Sequence, residues 1–211
     1  MTALVVSIDG TDFSGKTTIA NITTELLRKH NKTFFIKRTE VPSHFITGSF
    51  TDILRASNER VPAEVFALIY AADHLFHYEH SIKQLQEAKE KYVVVQERSL
   101  LSTYIYQGLL GDVDFAWLKE INKFDKNIPH LTLIIKTPVE ELMKRKSLDR
   151  RAFDTFEEEG HVKKQAQIFY NLPAELVKQF NVKYVDGDAD AATIAERCVE
   201  LIEEEIGKSF K

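Results

Sequence analysis

The run Gly10-Thr11-Asp12-Phe13-Ser14-Gly15-Lys16-Thr17 constrains this chain more than any other feature. It fits G-x-x-x-x-G-K-[ST], follows an apolar strand-length run (LVVSI) and opens an amphipathic stretch of helical spacing, which is the context that gives the pattern meaning. Glycines let such a loop curl until its N–H groups face phosphate oxygens, and the start of the following helix adds the positive end of its dipole. Lys16 is placed to bridge the β- and γ-phosphates, and Thr17 to offer its hydroxyl to Mg²⁺. The expectation is an ATP-binding loop running from Gly10 through Thr18. An accidental match in a chain of this size has odds on the order of 1%.

Five runs read as strands: LVVSI (4 to 8), FFI (34 to 36), YVVV (92 to 95), LTLII (131 to 135) and VKYV (182 to 185). They are short, β-branched or aromatic, and mostly do not alternate, as strands buried on both faces read. Amphipathic stretches at roughly 17 to 30, 62 to 90, 100 to 126, 138 to 146, 161 to 180 and 190 to 207 separate or follow them. Strands alternating with helices imply an α/β three-layer fold, a parallel five-stranded sheet flanked by helices. Pro62 and Pro138 suit first helical turns, where a missing N–H costs nothing. All 211 residues fit one domain.

No window approaches the ~18 consecutive apolar residues of a membrane span, and MTALVVSIDG lacks the basic flank and cleavage site of a signal peptide. The lone Cys198 has no partner for a disulfide or a cysteine metal site, which fits a reducing, cytoplasmic setting. A net charge of −4 argues against a nucleic-acid surface and for a small phosphorylated ligand held in a pocket.

Glu97-Arg98-Ser99-Leu100-Leu101-Ser102-Thr103-Tyr104-Ile105-Tyr106-Gln107-Gly108 resembles the thymidylate kinase signature, in which an acidic residue and Arg precede S-x-x-x-Y-Q-G; Ile105 replaces a small residue. Asp12 matches the acidic position of that family's phosphate loop. FALIYAAD (66 to 73) resembles its aromatic-A-A helix, and IPHLTLIIKTP (128 to 138) its P-D-L-T-L segment. The resemblance implies transfer of the ATP γ-phosphate to dTMP. Asp12 would then orient the acceptor phosphate and the metal, with Glu97 facing the same site, and Arg98 would grip the phosphate being extended. Tyr70 would stack on the base and Thr103 would bond its edge, while Tyr106 packs where a 2′-hydroxyl would sit. A second arginine that the family uses for the acceptor phosphate is expected at Arg38. The resemblance also implies a homodimer, with helices 62 to 90 and 100 to 126 as candidate faces.

Two departures from the family pattern stand out. Phe13 follows Asp12 where some members carry a catalytic arginine, so that charge is expected from Arg145, Arg150 and Arg151, in a lid of about residues 144–160. His74 replaces the base-reading arginine, and with His77 and His80 it recurs every third residue of one helix. His74 or His77 is expected to assume part of the arginine's role and to titrate near its ordinary value of about 6.5; metal binding by the three finds no further ligands in the sequence.

A deoxynucleoside kinase is the nearest rival, since Glu97-Arg98-Ser99 also suits a base acting on a 5′-hydroxyl. Asp12 and the Ser102 to Gly108 stretch speak against it, and an anionic phosphate acceptor needs no base. A catalytically weak paralogue is a further alternative, motivated by Phe13 and His74. Asn122-Lys123-Phe124-Asp125 spells the guanine-reading N-K-x-D, but it lies within a helical pattern and no D-x-x-G follows the second or third strand.

Overall fold

The computed structural model describes residues 2–57, 60–148 and 159–210. Strands β1 (Ala3–Asp9), β2 (Phe35–Glu40), β3 (Tyr92–Glu97), β4 (Leu131–Lys136) and β5 (Val182–Asp186) form one parallel sheet in the order β2-β3-β1-β4-β5. β1 is central, with Val6 opposite Val95 on one side and Leu131 on the other. Every residue of β1 is buried, as its unbroken apolar pattern requires.

The helices are α1 (Lys16–His30), α2 (Ile46–Arg55), α3 (Ala63–His77), α4 (Lys83–Gln86), α5 (Leu100–Thr103), α6 (Phe115–Ile121), α7 (Val139–Leu148), α8 (Glu159–Tyr170), α9 (Ala174–Gln179) and α10 (Ala191–Ser209). Side chains alternate across β1. Leu4, Val6 and Ile8 pack with Ile19 and Leu27 of α1 and with Ile194, Cys198 and Ile202 of α10, while Val5 faces the opposite layer beside Ile82 and Val94. On that opposite layer, Ile134 meets Leu101, Ile105, Phe169 and Phe180. The three layers expected from the sequence are therefore present. Among the described residues, no helix is long and apolar enough to cross a membrane.

Three long stretches expected to be single helices are subdivided. The first passes from α3 through a π-helical turn, Tyr78–Ile82, into α4. The second passes from α5 into a π-helical segment, Tyr104–Leu110, and restarts at Asp114, whose carboxylate caps α6 by accepting from the Trp117 N–H at 2.7 Å. A π turn carries one extra residue per hydrogen-bonded ring, so it re-aims the side chains that follow. The third breaks where Pro173 cannot continue α8 and instead precedes α9.

Helix α2 was not expected. Its β-branched, glycine-bearing sequence has weak helix propensity, and tertiary contacts hold it. The buried carboxylate of Asp73 on α3 accepts from the Ser43 N–H (2.7 Å), the Ser43 hydroxyl (2.5 Å) and the Thr47 hydroxyl (2.6 Å). Gly48 is required there, since a Cβ would lie 1.8 Å from the Ser43 carbonyl oxygen.

Leu133→Ala, in the fully buried centre of β4, is expected to cost about 2–5 kcal/mol through lost burial and a residual cavity. Denaturant titration should show a lower midpoint with an unchanged slope.

Candidate functional site

Residues 10–15 leave the end of β1 and enter α1. Phe13 (φ 64°) and Gly15 (φ 81°) take left-handed conformations that fold the loop back on itself, and the Ser14 N–H donates to the Thr11 carbonyl at 3.3 Å. Left-handed backbone suits glycine and strains phenylalanine, a cost tolerated at functional loops. Lys16 curls over the loop, donating to the Thr11 carbonyl at 3.2 Å and lying 3.6 Å from Asp12. Burial, helped by the nearby Arg98, pushes the Lys16 ammonium down to about 8, against the upward pull of Asp12 and Glu97. An incoming phosphate would supply the negative charge that a buried ammonium needs.

Arg98 joins the ends of β3 and β1. It too has a left-handed backbone (φ 61°), its N–H donates to the Ile8 carbonyl at 3.1 Å, and its guanidinium donates to Asp12 at 2.5 Å. Burial works to raise the Asp12 carboxyl, but Arg98, Lys16 and Arg55 outweigh it and hold the group at about 2. The Tyr106 ring lies 5.3 Å from the Arg98 guanidinium, its hydroxyl donates to Asp12 at 3.4 Å, and Phe169 packs edge-on against it at 5.7 Å. Behind this cluster, the buried Asp9 accepts from Ser102 (2.6 Å), Ser99 (3.1 Å) and Ser7 (3.1 Å). Sequence reasoning missed Asp9, although an acid ending an otherwise apolar strand was its visible signal.

Two adjoining cavities share Asp12, Val41, Pro42, Arg55 and Arg98. One, of about 450 Å³, opens over Gly15, Lys16, Thr17 and Thr18 and includes Glu97. The other runs inward between Tyr70 and His74 of α3 and Thr103, Tyr106 and Gln107. Tyr70 is steadied by a near-parallel Phe66, 6.2 Å between centroids. Gln107, within the quoted signature but given no role in the sequence reading, is buried with its side-chain carbonyl unpaired.

Glu97 accepts from the Thr17 hydroxyl at 2.7 Å and from Arg38 at 2.6 Å. Arg38 also reaches Asn21 at 3.3 Å and the Thr39 carbonyl, and it lines a groove beside α1 with Asn21, Ile22 and Glu25. Arg38, expected at the acceptor phosphate, reaches the edge of the cavity over Lys16 through Glu97. Arg55, at the end of the unexpected α2, lines both cavities instead.

On the donor side, Arg145 of α7 donates to the Phe13 carbonyl at 3.3 Å and to Glu141 at 2.9 Å, with Nη1 3.1 Å from where a Cβ on Gly15 would sit. A guanidinium from a neighbouring helix thus lies beside Phe13, the residue that lacks one. Arg150 and Arg151, with most of the expected lid, lie outside the described residues.

Burial pushes His74 down to about 4, and His77 likewise, with Asp73 opposing in both cases. The expectation that His74 titrates near its ordinary value is corrected: the ring is neutral at physiological pH. The three histidines do not converge either. His74 meets the Thr103 hydroxyl at 3.2 Å, His77 has no hydrogen-bond partner, and His80 meets the Phe76 carbonyl at 3.0 Å on the surface. No group of three or more metal-ligating side chains occurs among the described residues. Of the N-K-x-D run, Asn122 and Asp125 are buried, with Asn122 bonding the Leu118 carbonyl at 2.9 Å and Asp125 behind His74, while Lys123 and Phe124 are exposed. Burial pushes the Cys198 thiol up to about 12, which makes it inert.

The model of the thymidylate kinase family matches residues 8–194. Probable thymidylate kinases are similar along almost their whole length. That of Caldivirga maquilingensis is 29% identical over 203 residues, 95% of this chain and 94% of the relative. One from Saccharolobus solfataricus is 27% identical over 202 residues, covering 96% and 98%. The crystal structure of a thymidylate kinase from Ehrlichia chaffeensis shares the fold with a TM-score of 0.68 over 96% of this chain and 99% of that one, at 18% identity.

The two depressed histidines set a pH dependence of stability. Each is near 4 when folded and about 6.5 when unfolded, so the unfolded chain takes up protons that the folded chain refuses. Stability is full above about 6.5 and falls as pH drops toward 4, by up to about 1.4 kcal/mol per unit per ring. Asp125, pushed up to about 6 by burial, offsets part of this between 6 and its unfolded value. Thermal melts should show a falling Tm from pH 7 to 5, with a smaller fall in His77→Leu; equal slopes would contradict the assignment.

Proposed function

The chain belongs to the thymidylate kinase family, and from that premise we propose that it transfers the γ-phosphate of ATP to dTMP, giving ADP and dTDP, where its two cavities meet. One observation carries the reading: the loop cavity and the inward cavity share Asp12, Arg55 and Arg98, so a donor and an acceptor phosphate bound in them would face each other across fixed charge. Two anionic phosphates approach only if cations and aligned dipoles cancel their repulsion, and positioning with electrostatics supplies most of the catalysis.

In this reading Lys16 and the loop amides hold the donor. Arg98 and Arg55 hold the acceptor phosphate, and Asp12 fixes Arg98 in place. Arg145 reaches the transferring phosphoryl group from α7, and Arg150 and Arg151 add charge from the lid at 144–160. Tyr70 stacks on the base, Thr103 with His74 bonds its edge, and Tyr106 fills the space beside the sugar's second carbon, rejecting ribose by rigid contact.

The Thr17 hydroxyl and Glu97 carboxylate are hard oxygen donors beside the loop cavity and fit Mg²⁺, with Asp12 close by. Bound there, the ion neutralises charge on the donor phosphates. Arg38 holds Glu97 in place. Glu97, committed to Thr17 and Arg38, is poorly suited to act as base on a 5′-hydroxyl, which favours the monophosphate acceptor over a nucleoside.

We further propose one domain over residues 1–211, acting as a cytoplasmic homodimer. Exposed Ile46, Phe50 and Ile53 on α2 and Leu68 on α3 support such a face. Sedimentation velocity should show a dimer that Ile53→Lys weakens.

An ADP-release assay with ATP and Mg²⁺ over dTMP, dUMP, dCMP, UMP and thymidine tests the function. The expected order puts dTMP first and thymidine at background; a preference for thymidine would overturn the reading. Lys16→Ala should abolish turnover with the fold intact. Arg55→Ala should lower kcat/KM for dTMP by roughly 100-fold, the scale of a lost charge-assisted phosphate contact. Near-normal kinetics in Arg55→Ala, with collapse in Arg38→Ala, would return the acceptor role to Arg38.

A further inference from the structure

Asp125 is a buried carboxylate without full satisfaction, placed behind the inward cavity. Its Oδ1 accepts from the Asn127 N–H at 2.8 Å, but its Oδ2 has no hydrogen-bond partner and faces Nδ1 of His74 at 3.8 Å. The other ring nitrogen of His74 meets the Thr103 hydroxyl at 3.2 Å, and His74 and Thr103 both line the cavity.

At 3.8 Å the Asp125–His74 contact is too long for a hydrogen bond and acts through its field. In a low-dielectric interior a negative oxygen disfavours a ring lone pair and favours an N–H pointing at it. With its proton on Nδ1, a neutral His74 is an acceptor at Nε2. Thr103 must then donate its only hydroxyl proton to His74, leaving lone pairs toward the cavity. Asp73 also acts on His74 through its charge, while its carboxylate accepts from Ser43 and Thr47, and His77 is neutral; the 3.8 Å approach to Nδ1 is made by Asp125. Lys126 and Tyr104 also act on Asp125, whose carboxyl burial pushes up to about 6, leaving it ionised at pH 7.5.

We propose that Asp125 is a positioning residue that fixes His74 as its Nδ1–H tautomer, so that Thr103 meets the base as an acceptor and selects pyrimidines with an N3–H, thymine and uracil, over cytosine. This deepens the reading of the cavity as the acceptor site and rests on it. Cytosine presents a lone pair at N3, which would oppose the Thr103 oxygen, whereas thymine and uracil present a proton.

The test compares wild-type protein, Asp125→Asn and Thr103→Val at pH 7.5. The asparagine amide can turn an N–H toward Nδ1, which releases the tautomer. The ratio of kcat/KM for dTMP over dCMP should fall by about tenfold in Asp125→Asn, the scale of one neutral hydrogen bond, while the dTMP to dUMP ratio stays constant. General damage would lower all three substrates together. Thr103→Val should lose the same discrimination, which keeps the idea testable if Asp125→Asn folds poorly. Nitrogen NMR of the free wild-type protein, assigned with His74→Gln, should show a protonated Nδ1 and a bare Nε2. The opposite tautomer, or an unchanged dTMP to dCMP ratio in either variant, overturns the proposal. A wild-type protein active on neither nucleotide would sink the acceptor-site reading instead, and the nitrogen shifts would still decide the tautomer.

Discussion

The ion pair between Asp12 and Arg98 is the contact on which the rest of the site depends. It ties the loop after β1 to the end of β3, two adjacent strands, and it is almost fully removed from water. A buried pair of this kind contributes little net stability, because desolvation offsets attraction, yet breaking it would strand a charge. Its value lies in placement. Arg98 accepts a left-handed backbone to reach Asp12, Tyr106 lies against its guanidinium, and Asp9 braces the serines that follow. The guanidinium is therefore held at the junction of the two cavities before any ligand arrives.

A chain with net charge −4 can bind polyphosphates because its cations are concentrated rather than numerous. Lys16, Arg55, Arg98 and Arg145 converge from four separate elements on a few loop residues. Low dielectric then makes each contact stronger than its surface equivalent. The same burial lowers Lys16 to about 8, so an incoming phosphate would further favour its charged form.

The sheet was legible in the sequence because strands covered on both faces cannot alternate, and all five runs became parallel strands within a few residues of their expected bounds. The phosphate loop was legible because its backbone geometry demands glycine and lysine at fixed spacing. Helix α2 was not, since its stability comes from Asp73, which is distant in sequence, rather than from propensity. That omission left Arg55 out of the expected site: with no helix expected after β2, the nearest arginine, Arg38, was the natural choice, whereas Arg55 lines both cavities. Protonation was also beyond the sequence, because the depressed state of His74 follows from enclosure by α3 and its neighbours rather than from any residue beside it in the chain.

Phe13 and His74 mark two places where an arginine is missing from the family pattern, and the structure answers them differently. At Phe13 a guanidinium lies close by: Arg145 of α7 donates to the carbonyl of the very residue that cannot supply the charge, which supports the proposal that it takes over that role. A migrating phosphoryl group requires positive charge whatever its source, so the element supplying it is free to change. At His74 the charge is not replaced, because the ring is neutral and its neighbours are Asp125 and Thr103. A base edge is neutral and is read by the pattern of donors and acceptors, not by net charge. Transfer chemistry therefore constrains the first position through electrostatics, while the second is constrained through hydrogen-bond direction, which a neutral imidazole can supply once its proton is placed.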